Sequence, residues 1–153
     1  MRWTTLLLLA CLVCGWSRTT EAGQARVIKT LQHRLDQQGR HTLSPSLYER
    51  DAYQAHLRAH PELVSALRFD IQWAGQKLDK RNLKIRLELR SRQAEPGKPF
   101  VIEQPVKAKG FFSYWAAVDV DAETFKKIGD ITAWRVVILE NGRELADQKS
   151  FLW

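Results

Sequence analysis

Cysteine is nearly missing from this chain: 153 residues hold two, Cys11 and Cys14, both within the first fourteen positions. Beyond them there is no thiol for a disulfide, a thiolate nucleophile or a soft metal site. Apolar runs are short as well. The longest, Leu6 to Trp16, falls well below the roughly 20 residues that a bilayer-spanning helix needs. No glycine-rich loop suited to cradling phosphates is present, and none of Ser44, Ser46, Ser65, Ser91, Ser113 and Ser150 stands in a G-x-S-x-G turn. The glycines are scattered as turn punctuation, and there is neither an internal repeat nor a low-complexity tract. These absences leave no catalytic motif and no cofactor to expect, so the chain reads as a non-enzymatic binding protein.

What is present divides sharply near residue 22. Residues 1–22 combine the positive start MRWTT with an apolar run of signal length and small residues at Thr20-Glu21-Ala22. That is the pattern of an export signal cleaved after Ala22, with a second acceptable cut after Ala25. Export to a periplasmic or extracellular space is the expected localisation, and both cysteines would leave with the signal. Leu8-Leu9-Ala10-Cys11 also has the outline of a lipidation site, which would anchor the protein instead.

The chain carries 24 Lys and Arg against 17 Asp and Glu, a net charge of +7. Losing Arg2, Arg18 and Glu21 with the signal leaves 22 cations against 16 anions, or +6. That balance favours meetings with anionic polymers and headgroups without specifying one.

Residues 23–62 are expected to be helical and 63–153 to form the main domain. In 25–38, Ile28, Leu31 and Leu35 recur at spacings of three and four, which predicts a helix stopped by Gly39. Ser44-Pro45 predicts the cap and first turn of a second helix ending before Pro61. From Leu67 the period falls to two. Leu67, Phe69, Ile71 and Trp73 alternate with polar residues, and Leu83, Ile85, Leu87 and Leu89 do so again. Further strands are predicted at 100–108, where Pro105 suits an edge, and at 111–120. A short helix capped by Asp121 and stopped by Gly129 comes next. Runs 131–139 and 144–153 flank Asn141-Gly142 and predict a closing hairpin. A three-residue loop with Gly142 as the bulge would set Arg135 opposite Asp147 and Val137 opposite Leu145, a favourable charge pairing. In that strand Phe151 and Trp153 are expected at the core and its rim.

The expected fold is mainly β: an antiparallel sandwich of about six strands, two N-terminal helices and one short helix before the hairpin. Strand number, turn spacing and the tryptophan-bearing hairpin over 67–153 resemble the immunoglobulin and fibronectin-III-like sandwiches. The resemblance implies a fold alone, because such sandwiches serve many unrelated functions.

Three groups of residues could carry function. Lys77, Lys80 and Arg81 in a turn, with Lys84, Arg86, Arg90 and Arg92 along the next strand, form a basic stripe for a polyanion, be it an anionic glycan or a lipid headgroup. Specific nucleic-acid binding is not expected, since exposed aromatics do not interleave with these cations. Phe111 and Trp115 share one face of their strand and, left open, would grip a sugar ring or a partner protein; the favoured expectation is that a helix from residues 26–60 covers them, since those helices must bury Leu31, Leu35 and Leu57. His56 and His60 stand one helical turn apart, but Leu57 occupies the place where a zincin motif has Glu, and no third ligand is well spaced. Asp119 and Asp121 could pair as acids, yet Asp121 is better explained as a helix cap. A protein partner in the envelope or extracellular space is the first expectation, a polyanion the second.

Overall fold

Alternating apolar side chains need a second layer to bury them, and in this protein two antiparallel sheets supply it to each other. The computed structural model describes residues 23–79, 81–93, 97–106 and 113–153. The signal sequence read in 1–22 lies outside the described residues, as do Lys80 and Phe111. The elements are β1 (Gln24–Asp36), α1 (Leu47–Ala59), β2 (Val64–Gln76), β3 (Leu83–Ser91), β4 (Phe100–Pro105), β5 (Tyr114–Asp121), α2 (Ala122–Ile128), β6 (Ile131–Glu140) and β7 (Arg143–Lys149). A single 3₁₀ turn, Pro61–Leu63, links α1 to β2. One sheet runs β1-β2-β5 and the other β4-β3-β6-β7, so the fold is a mainly β, two-layer antiparallel sandwich.

The period-two runs behave as their pattern demands. Leu67, Phe69, Ile71 and Trp73 from β2 meet Leu83, Ile85, Leu87 and Leu89 from β3 in one core, joined by Tyr114, Val118, Val120, Val136 and Ile138. The two open sides are closed by side chains. Thr30 Oγ1 donates to Gln148 Oε1 at 2.6 Å between β1 and β7. Gln104 Nε2 donates to the Ala117 carbonyl at 2.6 Å between β4 and β5. Each sheet is thereby tied to its neighbour at an edge where strands otherwise present free backbone groups.

Several expectations are corrected. Residues 24–36 are a strand, not the first helix, so this segment belongs to the sandwich and the strand count among the described residues is seven. β1 pairs with β2 from Gln24↔Gln76 to Asp36↔Val64, with a bulge between Val27 and Lys29. The bulge displaces Ile28 from the alternation, and on this edge strand Thr30, Gln32 and Arg34 take the positions facing the sandwich. Both effects erase the period-two signal and leave Ile28, Leu31 and Leu35 at helix-like spacings. Helix α1 begins two residues later than expected: Ser46, not Ser44, is the cap, its hydroxyl accepting from Glu49 N. Its end before Pro61 and the α2 cap by Asp121 match the expectation.

The hairpin register also differs. Asn141 (φ 52°) and Gly142 (φ 80°) both occupy the left-handed region, and Glu140 pairs with Arg143 across a two-residue turn. The extra residue comes further down, at Leu145, between the pairs Leu139↔Glu144 and Ile138↔Ala146. Val137 therefore stands opposite Asp147, and Arg135 opposite Lys149. Asn-Gly satisfies both positive-φ positions of a tight turn, which removes the reason for a glycine bulge in the loop. Asp147 stays exposed, so facing valine costs it little, and Arg135 Nε reaches it diagonally at 2.9 Å.

β7 ends at Lys149, where Ser150 N–H and Oγ bind the backbone of Trp134. Phe151 is fully exposed rather than core, and Leu152 is exposed beside it. Trp153 is half-buried, with the Arg90 guanidinium 4.1 Å from its ring centroid.

Candidate functional site

Each sheet has one face turned away from the core, and these two faces carry most of the residues singled out in the sequence. On the four-stranded sheet, Lys84, Arg86, Glu88 and Arg90 of β3 point outward, flanked by Glu103 on β4 and Arg135 on β6. The basic stripe is compensated there. Arg86 lies 2.7 Å from Glu103, 3.5 Å from Glu144 and 3.8 Å from Glu88. Lys84 lies 3.6 Å from Glu103. Arg135 completes the lattice with Asp147, Glu144 and Glu88 at 2.9, 2.8 and 3.5 Å. Hydrogen bonds from Arg86 lower the Glu103 carboxyl, and the one to Asp147 raises Arg135. A cross-strand lattice of alternating sign stabilises strand pairing and leaves little net field for a polyanion.

The remaining cations of that stripe are dispersed. Arg90 is taken by Trp153, Arg81 lies 3.6 Å from Asp79, and Arg92 is exposed near the end of β3. Lys77 sits at the turn after β2 with a left-handed backbone.

The outward face of the three-stranded sheet is covered only in part. α1 packs along β1 and buries Leu57; Leu35 and Val64 are buried at the same end, apart from the main core. A carboxylate locks that end. Asp36 is 4% exposed and accepts from Gln38 N, Arg40 N, Arg40 Nε and the Tyr53 hydroxyl at 2.7–2.9 Å. Burial pushes its carboxyl up, but these four donors outweigh burial and hold the pKa down to about 2. Gln54 of α1 acts as a substitute strand. Its Oε1 accepts from Arg34 N at 2.8 Å and its Nε2 donates to Arg34 O at 2.9 Å, closing the free edge of β1 at that point.

At the other end of this face nothing among the described residues covers Trp115, which is 54% exposed. Tyr114, Ala116, Val118 and Val120 face the core, so Trp115 and Ala117 face out, with Gln72 opposite Trp115 on β2. The expectation that a helix from residues 26–60 covers this aromatic is overturned: residues 24–36 are β1, α1 packs along β1, and Trp115 stays exposed. Phe111, its expected companion, lies outside the described residues.

The acid and histidine pairs resolve into structural roles. Asp119 forms a two-pronged pair with Arg68 at 2.7 and 2.8 Å. Asp121 accepts from Thr124 N and Oγ1 at 2.8 and 2.9 Å, and those bonds lower its carboxyl. His56 and His60 have ring centroids 4.5 Å apart, and His60 Nδ1 is 3.1 Å from Glu62. No group of three His, Cys, Asp or Glu placed to hold a metal occurs among the described residues.

The sequence reading missed a cleft between β1 and α1. Arg34 from the strand and Arg50, Gln54 and Arg58 from the helix line about 450 Å³, with Asp51, Leu31, Gln32 and His33. The i, i+4, i+8 spacing of Arg50, Gln54 and Arg58 could have flagged one helix row, but Arg34 joins it only because β1 is a strand. His33 beneath is buried, 4.7 Å from His41 ring to ring and 3.7 Å from Asp70. Compared with family models, with curated proteins and with solved structures, the chain matches none.

Proposed function

We propose that this is an exported, non-enzymatic binding module that contacts another protein of the envelope or extracellular space through the sheet face around Trp115. The observation that carries the reading is a half-exposed tryptophan held on a paired strand, beside exposed Ala117 and outside the cover of α1. Tryptophan is among the residues that most often anchor protein interfaces, because its large apolar surface loses water without costing much side-chain entropy. Export rests on the signal-like sequence of residues 1–22. The strand order, three strands over four with crossings from β2 to β3, from β4 to β5 and from β5 to β6, supports reading the sandwich as immunoglobulin-like.

Polyanion binding through the β3 face has less support, since Lys84 and Arg86 meet carboxylates of their own sheet. The test is affinity capture from the native envelope with a tag inserted between residues 93 and 98, comparing wild type with Trp115→Ser. A stoichiometric partner retained by wild type and lost by the variant is expected. Equal capture by both would sink the Trp115 interface. Mass spectrometry of the N-terminal peptide gives the second readout: a start at Gly23 is expected, and a diacylglyceryl adduct on Cys11 would replace release by anchoring.

A further inference from the structure

We propose that the cleft between β1 and α1 is a binding site for a phosphate group, held by Arg34, Arg50 and Arg58. Arg34, Arg50 and Arg58 line this one cleft, and Asp51 is the one acidic residue of its lining. Asp51 is engaged by Arg50, whose Nη2 and Nε lie 2.8 and 3.0 Å from its Oδ1. Among the described residues neither the Arg34 nor the Arg58 side chain has an ion pair. Arg34 is half-buried, and its guanidinium is lowered first by that burial and then by Arg58, with Asp130 attracting it in return. A half-buried cation repelled by a neighbouring cation is unfavourable in the free protein, and a bound anion relieves the repulsion.

The helix row places these groups with some precision. Arg50 and Arg58 flank Gln54, and Gln54 is clamped to the β1 backbone at Arg34 and to the carbonyl of His41. The spacing between strand and helix is therefore set before any ligand arrives. By the alternation of an edge strand, the N–H of Gln32 faces the same open side as that of Arg34, adding a backbone donor. His33 contributes no cation at neutral pH: burial, then His41, lowers its imidazole against the pull of Asp70.

The ligand chemistry follows from charge and shape. Three arginines less one carboxylate leave a formal charge of two, which a phosphate monoester at neutral pH matches. Its tetrahedral oxygens can engage several planar guanidinium forks at once, whereas a single carboxylate satisfies one. A volume of about 450 Å³ leaves room for a small organic group on that phosphate. The phosphate could be carried by a soluble molecule or by a lipid headgroup, and the proposal commits to the soluble one.

The experiment is isothermal titration of the purified protein, without residues 1–22, at fixed ionic strength in chloride. The probes are inorganic phosphate, phenyl phosphate, and phosphatidylcholine vesicles with and without phosphatidic acid. Saturable binding of one or both soluble phosphates is expected. Arg58→Gln and Arg34→Gln are expected to weaken it by about tenfold or more each, the loss of a charge-assisted hydrogen bond. Arg92→Gln, an exposed cation outside the cleft, is expected to leave it unchanged. Because Arg58 is exposed and has no ion pair among the described residues, its variant should fold, and circular dichroism checks that it does. Absence of saturable binding, an equal loss in Arg92→Gln, undiminished binding in Arg58→Gln, or a response to anionic vesicles alone would each overturn the site.

Discussion

Replacing Asp36 by Asn is the sharpest probe of how α1 is fastened to the sandwich. The carboxylate accepts two backbone N–H groups, the Tyr53 hydroxyl and Arg40 Nε, and is nearly inaccessible. Lowering a carboxyl from 3.8 to about 2 stabilises the folded, ionised state by ~2 kcal/mol at about 1.4 kcal/mol per pH unit. The side chain of Arg40 is half-exposed, so the ion pair itself contributes little of that; the buried backbone and phenol donors carry most of it. At pH 7 the variant should lose ~2 kcal/mol, moving the urea midpoint down by about 1 M for a domain of this size. The sign of the pH dependence follows from the depressed pKa. Wild type holds this contribution fully above about pH 4 and loses it as the pH falls toward 2, because the unfolded chain takes up the proton first. Paired urea titrations at pH 7, 4 and 2.5 should therefore show the two proteins converging. A gap that stays constant down to pH 2.5, or one below about 0.5 kcal/mol at pH 7, would refute the role given to the carboxylate.

His33 predicts a second, separate pH window. Its folded pKa lies below 6.5, so stability should decline as the pH drops through that value, and His33→Gln should flatten the decline between pH 7 and 5 in thermal melts. Gln54→Leu leaves the Arg34 N–H and carbonyl and the His41 carbonyl without their partner; a cost of about 1–3 kcal/mol at constant pH is expected from chemical denaturation. Gly142→Ala puts a β-carbon where φ is +80° and no neighbouring atom is within 4 Å. It should cost ~1 kcal/mol from backbone strain alone, and a larger loss would argue against the open two-residue turn.

The division between sequence and structure follows the range of the forces involved. β2 and β3 were legible because each buries every second side chain, a pattern written within eight residues. α2 was legible from its own cap and stop, Asp121 and Gly129. The alternating cations on β3 were legible too, but not their neutralisation. Glu103, Glu144 and Asp147 reach Arg86 and Arg135 only through pairing with strands up to 58 residues away in the chain. β1 was misread because a bulge and a row of polar inward side chains hid its period, and only pairing with β2 and the seam with β7 make it a strand. The arginine cleft depends on that same event. Local composition determined the layers, the core and the short helix. The tertiary structure alone decided which charges meet, because electrostatic partners are chosen by distance in space and leave no period in the chain.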